Sequence, residues 1–121
     1  MRVAYWIVAA LLAVFYLYSG VLKVVRSKDQ LRPMMGWVDT FPLPFVRTIG
    51  LLEVLGALGL ILPPLTGIAV GLALVAAVGL VLIQVGALSL HLSRGEIKVI
   101  GLNIGLLALA GIAIWLSTTW L

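Results

Sequence analysis

A small set of polar side chains interrupts an otherwise apolar sequence, and these are the residues that could do chemistry. Four of them stand alone in four separate apolar stretches: Tyr16, Glu53, Gln84 and Asn103. Two more follow at a spacing of seven, Lys23 after Tyr16 and His91 after Gln84. Seven residues are about two helical turns, so each of these pairs is expected to share one helix face. The sequence therefore predicts a first polar layer formed by the four single residues. A second layer, formed by Lys23 and His91, is expected two helical turns away.

Glu53 is the ionisable group that lies deepest in an apolar stretch. An ionised carboxylate is costly there, so it must pair with a cation such as Lys23 or Arg47, or remain protonated. The amides, the imidazole and the ammonium could donate hydrogen bonds to a quinone carbonyl or to a lipid head group. A structural explanation stands beside this one, in which Gln84 and Asn103 only join helices and the cations reach towards the membrane surface.

The sequence predicts no free-standing enzyme. His91 is the sole histidine, no carboxylate precedes it at helical spacing, and Glu96 is expected to point away from it into solvent. There is no cysteine, so thiol chemistry and thiolate metal sites are excluded. No metal cofactor is expected, whereas a role as a subunit of a membrane oxidoreductase complex stays open.

The composition requires a membrane. Of the 121 residues, 64% are hydrophobic and 10% are charged, against about 25% charged in ordinary soluble domains. A helix needs roughly 20 apolar residues to cross a bilayer. The sequence therefore predicts an all-α polytopic membrane protein, one domain over residues 1–121, with four transmembrane helices in a single up-down bundle. The predicted spans are residues 3–25, 45–62, 68–92 and 97–121.

Distances along these spans predict how the polar residues line up. Measured from the same membrane side at 1.5 Å per residue, all four residues of the first layer lie about 9 to 13 Å deep. The second span is expected to stop at Leu62, because Pro63 and Pro64 cannot continue the hydrogen-bond ladder. Gly67-x-x-x-Gly71 is expected to open the third span and leaves a homo-oligomer possible.

The positions of the basic residues predict the orientation. Seven of the eight flank the first and third loops, and Arg2 alone lies on the other side. The positive-inside rule then places both termini outside and the loops at 26–44 and 93–97 in the cytoplasm. The net charge of +4 is explained by anionic lipid head groups, so no nucleic-acid partner is expected. The first loop is either an interfacial segment or a plain linker whose Trp37 anchors at head-group depth.

Short motifs in this order give the chain a family resemblance. They are Gly20-x-x-Lys23, Arg47-x-x-Gly50-x-x-Glu53, Gly86-Ala87 followed by His91-x-x-Arg94-x-Glu96, and Asn103. Together they resemble the DoxX-like family of small membrane proteins. The resemblance implies a four-helix bundle in the bacterial inner membrane. Relatives serve a thiosulfate:quinone oxidoreductase, a mycobacterial complex of superoxide dismutase and a sulfurtransferase, or the assembly of animal receptors, so membership alone leaves the activity open.

Three functions are consistent with these features. The first is an accessory or binding protein that holds a small amphiphilic ligand, a quinone or a lipid. The second is a chaperone-like or structural partner of other membrane proteins. The third is a small proton-coupled transporter that uses Glu53. The candidate ligand-binding or polar-core residues are Tyr16, Lys23, Arg47, Glu53, Gln84, His91 and Asn103.

Overall fold

A computed structural model describes all 121 residues and contains helices without strands. The four long helices are α1 (Arg2–Val25), α3 (Leu43–Thr66), α4 (Leu72–Ser93) and α5 (Ile97–Ser117). A short helix α2 (Lys28–Leu31) and a 3₁₀ turn (Gly36–Thr40) lie between α1 and α3, and a second 3₁₀ turn (Thr118–Trp120) follows α5. The predicted all-α class is confirmed.

The long helices run up and down and form a closed ring. Helix α1 packs beside α3 and α5, and α4 packs beside the same two helices, so α1 and α4 face each other across the bundle. Each of the four is long and apolar enough to cross a membrane. Large apolar side chains such as Leu11, Val75 and Ile97 point outwards. Small ones such as Ala57, Ala77 and Ala110 fill the core, as expected where helices associate within lipid.

Two glycines bring α1 and α3 into close contact. A Cβ atom added to Gly20 would lie 2.6 Å from the carbonyl oxygen of Gly50. One added to Gly50 would lie 2.6 Å from the Cβ of Lys23. Only glycine permits this approach, which places Lys23 directly opposite the next turn of α3.

The expected end of the second span at Leu62 is wrong, because α3 continues through Pro63 and Pro64 to Thr66. Pro64 has no N–H for the carbonyl of Leu60, four residues earlier. The hydroxyl of Tyr5 on α1 donates to that carbonyl at 2.5 Å instead. A neighbouring helix thus supplies the missing donor, which is how prolines are tolerated within membrane helices.

The expected start of the third span is also wrong. Helix α4 begins at Leu72 rather than at residue 68, and residues 67–71 form the turn before it. Gly67 ends α3 in the left-handed conformation, with φ of 71°. Gly67 and Gly71 therefore flank a turn and share no helix face, so the homo-oligomer expectation loses the motif on which it rested.

The first loop is folded onto the bundle. We call residues 26–42 the capping segment. It begins with a capping box in which Ser27 and Gln30 bond each other's backbone N–H groups. Trp37 and Val38 are buried against Leu22 of α1 and Val46 of α3. The alternative of a plain linker is wrong, since the segment forms helical turns and Trp37 packs into the protein, where it is 8% exposed.

Candidate functional site

A cavity of about 470 Å³ lies at the basic end of the bundle, where the four long helices meet the capping segment. Its walls are mostly apolar and include Phe15 from α1, Ile83 from α4 and Leu102 from α5. The capping segment contributes Trp37 and two methionines. Six of the seven candidate site residues line this one cavity: Tyr16, Lys23, Glu53, Gln84, His91 and Asn103.

A chain of hydrogen bonds crosses the floor of the cavity. The hydroxyl of Tyr16 donates to Oε1 of Gln84 at 2.8 Å, and Nε2 of Gln84 donates to Oδ1 of Asn103 at 2.8 Å. Three helices that are separate in sequence are thereby joined at one depth, as the spacing predicted. The chain stops at Nδ2 of Asn103, which is buried and has no hydrogen-bond partner.

Glu53, the fourth residue of the predicted layer, bonds to the second layer instead. Its Oε1 accepts a hydrogen bond from the ammonium of Lys23, and the two side chains form a buried ion pair. Nζ of Lys23 also donates to Oγ of Ser19 at 2.7 Å and lies 5.8 Å from the centre of the Trp37 ring. The ammonium is therefore surrounded by groups that stabilise its charge.

Arg47 lies outside the lining of the cavity. Its guanidinium donates to the backbone carbonyls of Lys23, at 2.9 Å, and of Val24. These carbonyls belong to the last turn of α1, where helical partners are missing and where a positive charge is favourable. Arg47 fixes the end of α1 and so acts on the cavity through the position of Lys23.

Glu96 turns back towards His91, so the expectation that it points away is wrong. The chain ends α4 with Gly95 in the left-handed conformation, with φ of 70°, and the N–H of Glu96 bonds the carbonyl of His91 at 2.9 Å. This tight C-terminal turn brings Oε1 of Glu96 within 3.0 Å of Nδ1 of His91. Helical spacing could not reveal the contact, because Glu96 is no longer on the helix.

Two arginines tie the loops of the basic end together. Arg94 donates to Glu96 at 3.0 Å and to Thr40 of the capping segment at 2.9 Å. Hydrogen bonds from His91 and then from Arg94 hold the pKa of Glu96 below its usual range. Arg32 bonds both oxygens of Asp39 and also contacts Asp29, and it lowers the pKa of Asp39 chiefly through those hydrogen bonds.

Several lining residues were not predicted. Ser19 precedes Lys23 by four residues, so helical spacing alone could have found it. Trp37 could not have been placed, because the capping segment carries no periodic pattern that fixes where it folds. No three histidine, aspartate or glutamate side chains converge on a point. Among the polar atoms of the floor, Nδ2 of Asn103 is the donor that has no partner.

Comparison with known proteins adds the family. No curated protein and no solved structure matches the chain. The DoxX-like family, in contrast, matches over residues 7–113. This range includes the whole of α3 and α4, most of α1 and α5, the capping segment and every residue that lines the cavity. The chain therefore belongs to the DoxX-like family of membrane proteins.

Proposed function

We propose that this protein binds one small amphiphilic molecule within the bundle and presents it to partners in the membrane. The observation that carries the proposal is the cavity itself. It has apolar walls and a polar floor, and one buried amide group on that floor lacks a partner. Its volume of about 470 Å³ is within the range of about 300–1,000 Å³ common for small-molecule sites.

The arrangement supports an amphiphile for a second reason. The lining divides into a majority of aromatic and aliphatic side chains and a smaller set of polar ones, three of which form the hydrogen-bond chain of the floor. A quinone or a lipid has the same division, with a polar head and an apolar tail. As a holder of such a molecule, the protein would serve a membrane redox complex as an accessory subunit without catalysing a reaction alone.

The proposed setting is the bacterial inner membrane. We place both termini outside and the basic loops in the cytoplasm, because the lysines and arginines concentrate at that end. The cavity then faces the cytoplasmic leaflet. The capping segment, with its exposed basic side chains, would lie at the anionic surface of the same leaflet.

A proton-coupled transporter is supported less well. Such a protein needs a carboxylate that can alternate between a proton and a cationic substrate. Glu53 is 2% exposed and already paired with Lys23. A chaperone-like role would require contacts on the lipid-facing surface, and nothing about that surface favours a particular partner. We therefore retain binding as the proposed function.

The test is whether blocking the cavity removes a bound amphiphile. Ala87 lines the cavity, so Ala87→Phe would place a phenyl ring inside it. Ala108 on α5 is exposed to the outside of the bundle, and Ala108→Phe is the matched control. Each protein is purified in mild detergent, and the co-purified lipids and quinones are quantified by mass spectrometry.

We expect the wild type and Ala108→Phe to retain about one amphiphile per chain, and Ala87→Phe to lose most of it. Circular dichroism and thermal unfolding establish that all three proteins are folded. The proposal fails if the wild type carries no stoichiometric amphiphile from its native membrane, or if folded Ala87→Phe retains as much as the wild type.

A further inference from the structure

We propose that the cavity selects a neutral head group with a carbonyl oxygen, and that Nδ2 of Asn103 donates the hydrogen bond that recognises it. This inference rests on the proposed binding function and names the chemistry of its ligand. It starts from a single atom. Asn103 is 5% exposed and lines the cavity, and its Nδ2 has no hydrogen-bond partner in the protein.

A buried donor without a partner is costly, and proteins rarely leave one in place. A ligand that accepts a hydrogen bond from Nδ2 would remove this cost. The same buried position makes the donor selective, because a ligand without an acceptor would leave the N–H group both dry and unbonded.

The hydrogen-bond chain fixes which end of the amide faces the ligand. Tyr16 donates its phenolic proton to Oε1 of Gln84, so Gln84 must present its amino group to Asn103. Asn103 accepts with Oδ1, which leaves Nδ2 as the free end. If both amides were reversed, the phenolic proton of Tyr16 would lose its acceptor in apolar surroundings, which is unfavourable. The floor therefore offers a donor and calls for an acceptor.

The charges of the floor exclude an ionic head group. The ammonium of Lys23 is bonded to Glu53 and Ser19, so its charge is already compensated. His91 is held by Glu96 at the rim. An anion or a cation would enter without an available counter-charge, and burying an unpaired charge is far more costly than burying a neutral dipole.

A neutral acceptor of this kind is a carbonyl oxygen. Two sources supply it in membranes: the ring carbonyl of a quinone and the ester carbonyl of a glycerolipid. Both have an apolar part that the walls can accommodate. The shared chemistry is what the site recognises, and the two sources are separated by experiment.

The experiment offers purified protein two matched probe pairs, each as an equimolar mixture read by native mass spectrometry. The first pair is decyl-1,4-benzoquinone and decylbenzene. The second is methyl decanoate, which carries the ester carbonyl of a glycerolipid, and tridecane, which has no acceptor. A single net hydrogen bond corresponds to a preference of roughly 5- to 10-fold for the carbonyl member. We expect this preference in at least one pair, and the pair that shows it identifies the source.

Asn103→Leu should remove the preference and leave binding of the carbonyl-free member unchanged. A second measurement does not depend on the variant's folding. The infrared stretch of a ¹³C-labelled carbonyl on the preferred probe should move to lower wavenumber in the wild-type protein than in empty micelles, because its oxygen accepts a hydrogen bond.

The outcomes separate the two proposals. If neither member of either pair binds, and the co-purification test is also negative, the binding function itself is wrong. If both members of each pair bind equally and the carbonyl stretch does not move, binding stands and the role of Asn103 is wrong. A preference for decyl-1,4-benzoquinol over the benzoquinone would also overturn the inference, since a hydroxyl donor would then be selected.

Discussion

The buried ion pair between Lys23 and Glu53 makes the stability of the protein depend on both side chains together. Lys23 and Glu53 come from different helices, and each is almost fully buried. Two charges removed from water repay their desolvation only when they are well paired and hydrogen-bonded. Ser19 and the Trp37 ring complete that pairing on the lysine side. Removing one partner leaves the other as an uncompensated charge, whereas removing both leaves a smaller penalty.

We therefore predict strong coupling between Lys23→Met and Glu53→Gln. Each single variant should lower the free energy of unfolding by about 3–5 kcal/mol, and the double variant by clearly less than the sum. The measurement is a double-mutant cycle of unfolding in mixed micelles of mild detergent and dodecyl sulfate. Additive single effects would mean that the two side chains do not interact in the membrane-embedded protein.

A pH dependence follows from Glu96 at the end of α4. Hydrogen bonds from His91 and Arg94 lower the pKa of Glu96, so its ionised form is favoured in the folded protein. A lowered pKa contributes stability above the usual carboxyl pKa, and this contribution is lost as the pH falls through the lowered value. The contribution is small, at most about 1 kcal/mol, because the carboxylate is partly exposed to solvent and therefore screened.

We expect wild type to unfold at a higher temperature than Glu96→Gln at neutral pH, and the difference to disappear in the acid range below the carboxyl pKa. Thermal unfolding of both proteins between pH 7 and pH 3 measures it. A difference that stays constant with pH would show that the ionisation of Glu96 does not stabilise the fold.

At the scale of the helices, the contact between α1 and the end of α3 predicts that the contribution of Tyr5 to stability depends on Pro64. Tyr5 donates to the Leu60 carbonyl that Pro64 cannot serve. Tyr5→Phe should therefore cost about 1–3 kcal/mol of unfolding free energy, the penalty for a buried acceptor without a donor. In a Pro64→Ala background the helix supplies its own N–H, so the same change should cost less. Equal costs in both backgrounds would contradict this account of how the proline is accommodated.

The close approach of α1 and α3 gives a second prediction at this scale. Gly50→Ala would place its Cβ 2.6 Å from Lys23 and 2.7 Å from the Gly20 carbonyl, so the helices must separate. Overpacking of this kind costs about 1–3 kcal/mol. Gly105→Ala on α5 is the control, because a Cβ there meets nothing within 4 Å. It should be neutral or slightly stabilising, since alanine is the better helix former. Thermal unfolding of the two variants should therefore show opposite or clearly unequal shifts.

The sequence was enough to predict the four membrane helices but not all of their ends. The number and the apolar cores of the four spans follow from length and composition. The ends near residues 62 and 68 were wrong, because a proline stops a helix only when no other group serves the freed carbonyl. Tyr5 serves it, and that contact joins residues 55 positions apart. Local sequence rules contain no such information.

In the candidate site, too, the residues on regular helices could be predicted and those on irregular segments could not. Helical spacing brought six of the seven residues to one cavity, because spacing and depth are regular within straight helices. Arg47, which was a candidate as a possible partner of Glu53 and through the family motif, bonds the end of α1 with its long side chain and stays outside the cavity. Helical spacing missed Trp37 and the turn that returns Glu96 to His91. Those positions depend on how irregular segments fold over the bundle, for which the sequence has no period.

Across the whole molecule, the two ends of the bundle differ in packing. At the end that carries the termini, Tyr5, Trp6 and Trp120 pack edge to face, and Arg2 lies 5.0 Å from the centre of the Trp120 ring. This end is closed. The basic end holds the cavity and is covered by the capping segment. The cavity and its polar floor therefore belong to the basic end, and the orientation of the bundle decides which leaflet surrounds them.

The orientation can be tested directly, because the chain contains no cysteine that would react in the background. Thr66 and Ser93 are exposed and lie at opposite ends of the bundle, at the ends of α3 and α4. Thr66→Cys and Ser93→Cys are matched changes that replace a hydroxyl by a thiol and leave every charge in place. The charges matter, since the lysines and arginines set the orientation.

With both termini outside, a membrane-impermeant maleimide should label Thr66→Cys in intact bacterial spheroplasts and should label Ser93→Cys only after the membrane is opened. The reverse pattern would place the cavity in the outer leaflet, and equal labelling of both would indicate a mixed population. Labelling of both variants after detergent treatment controls for the accessibility of each thiol. Because seven of eight basic residues lie at the cavity end, we expect that end, and with it the ligand, to belong to the cytoplasmic leaflet.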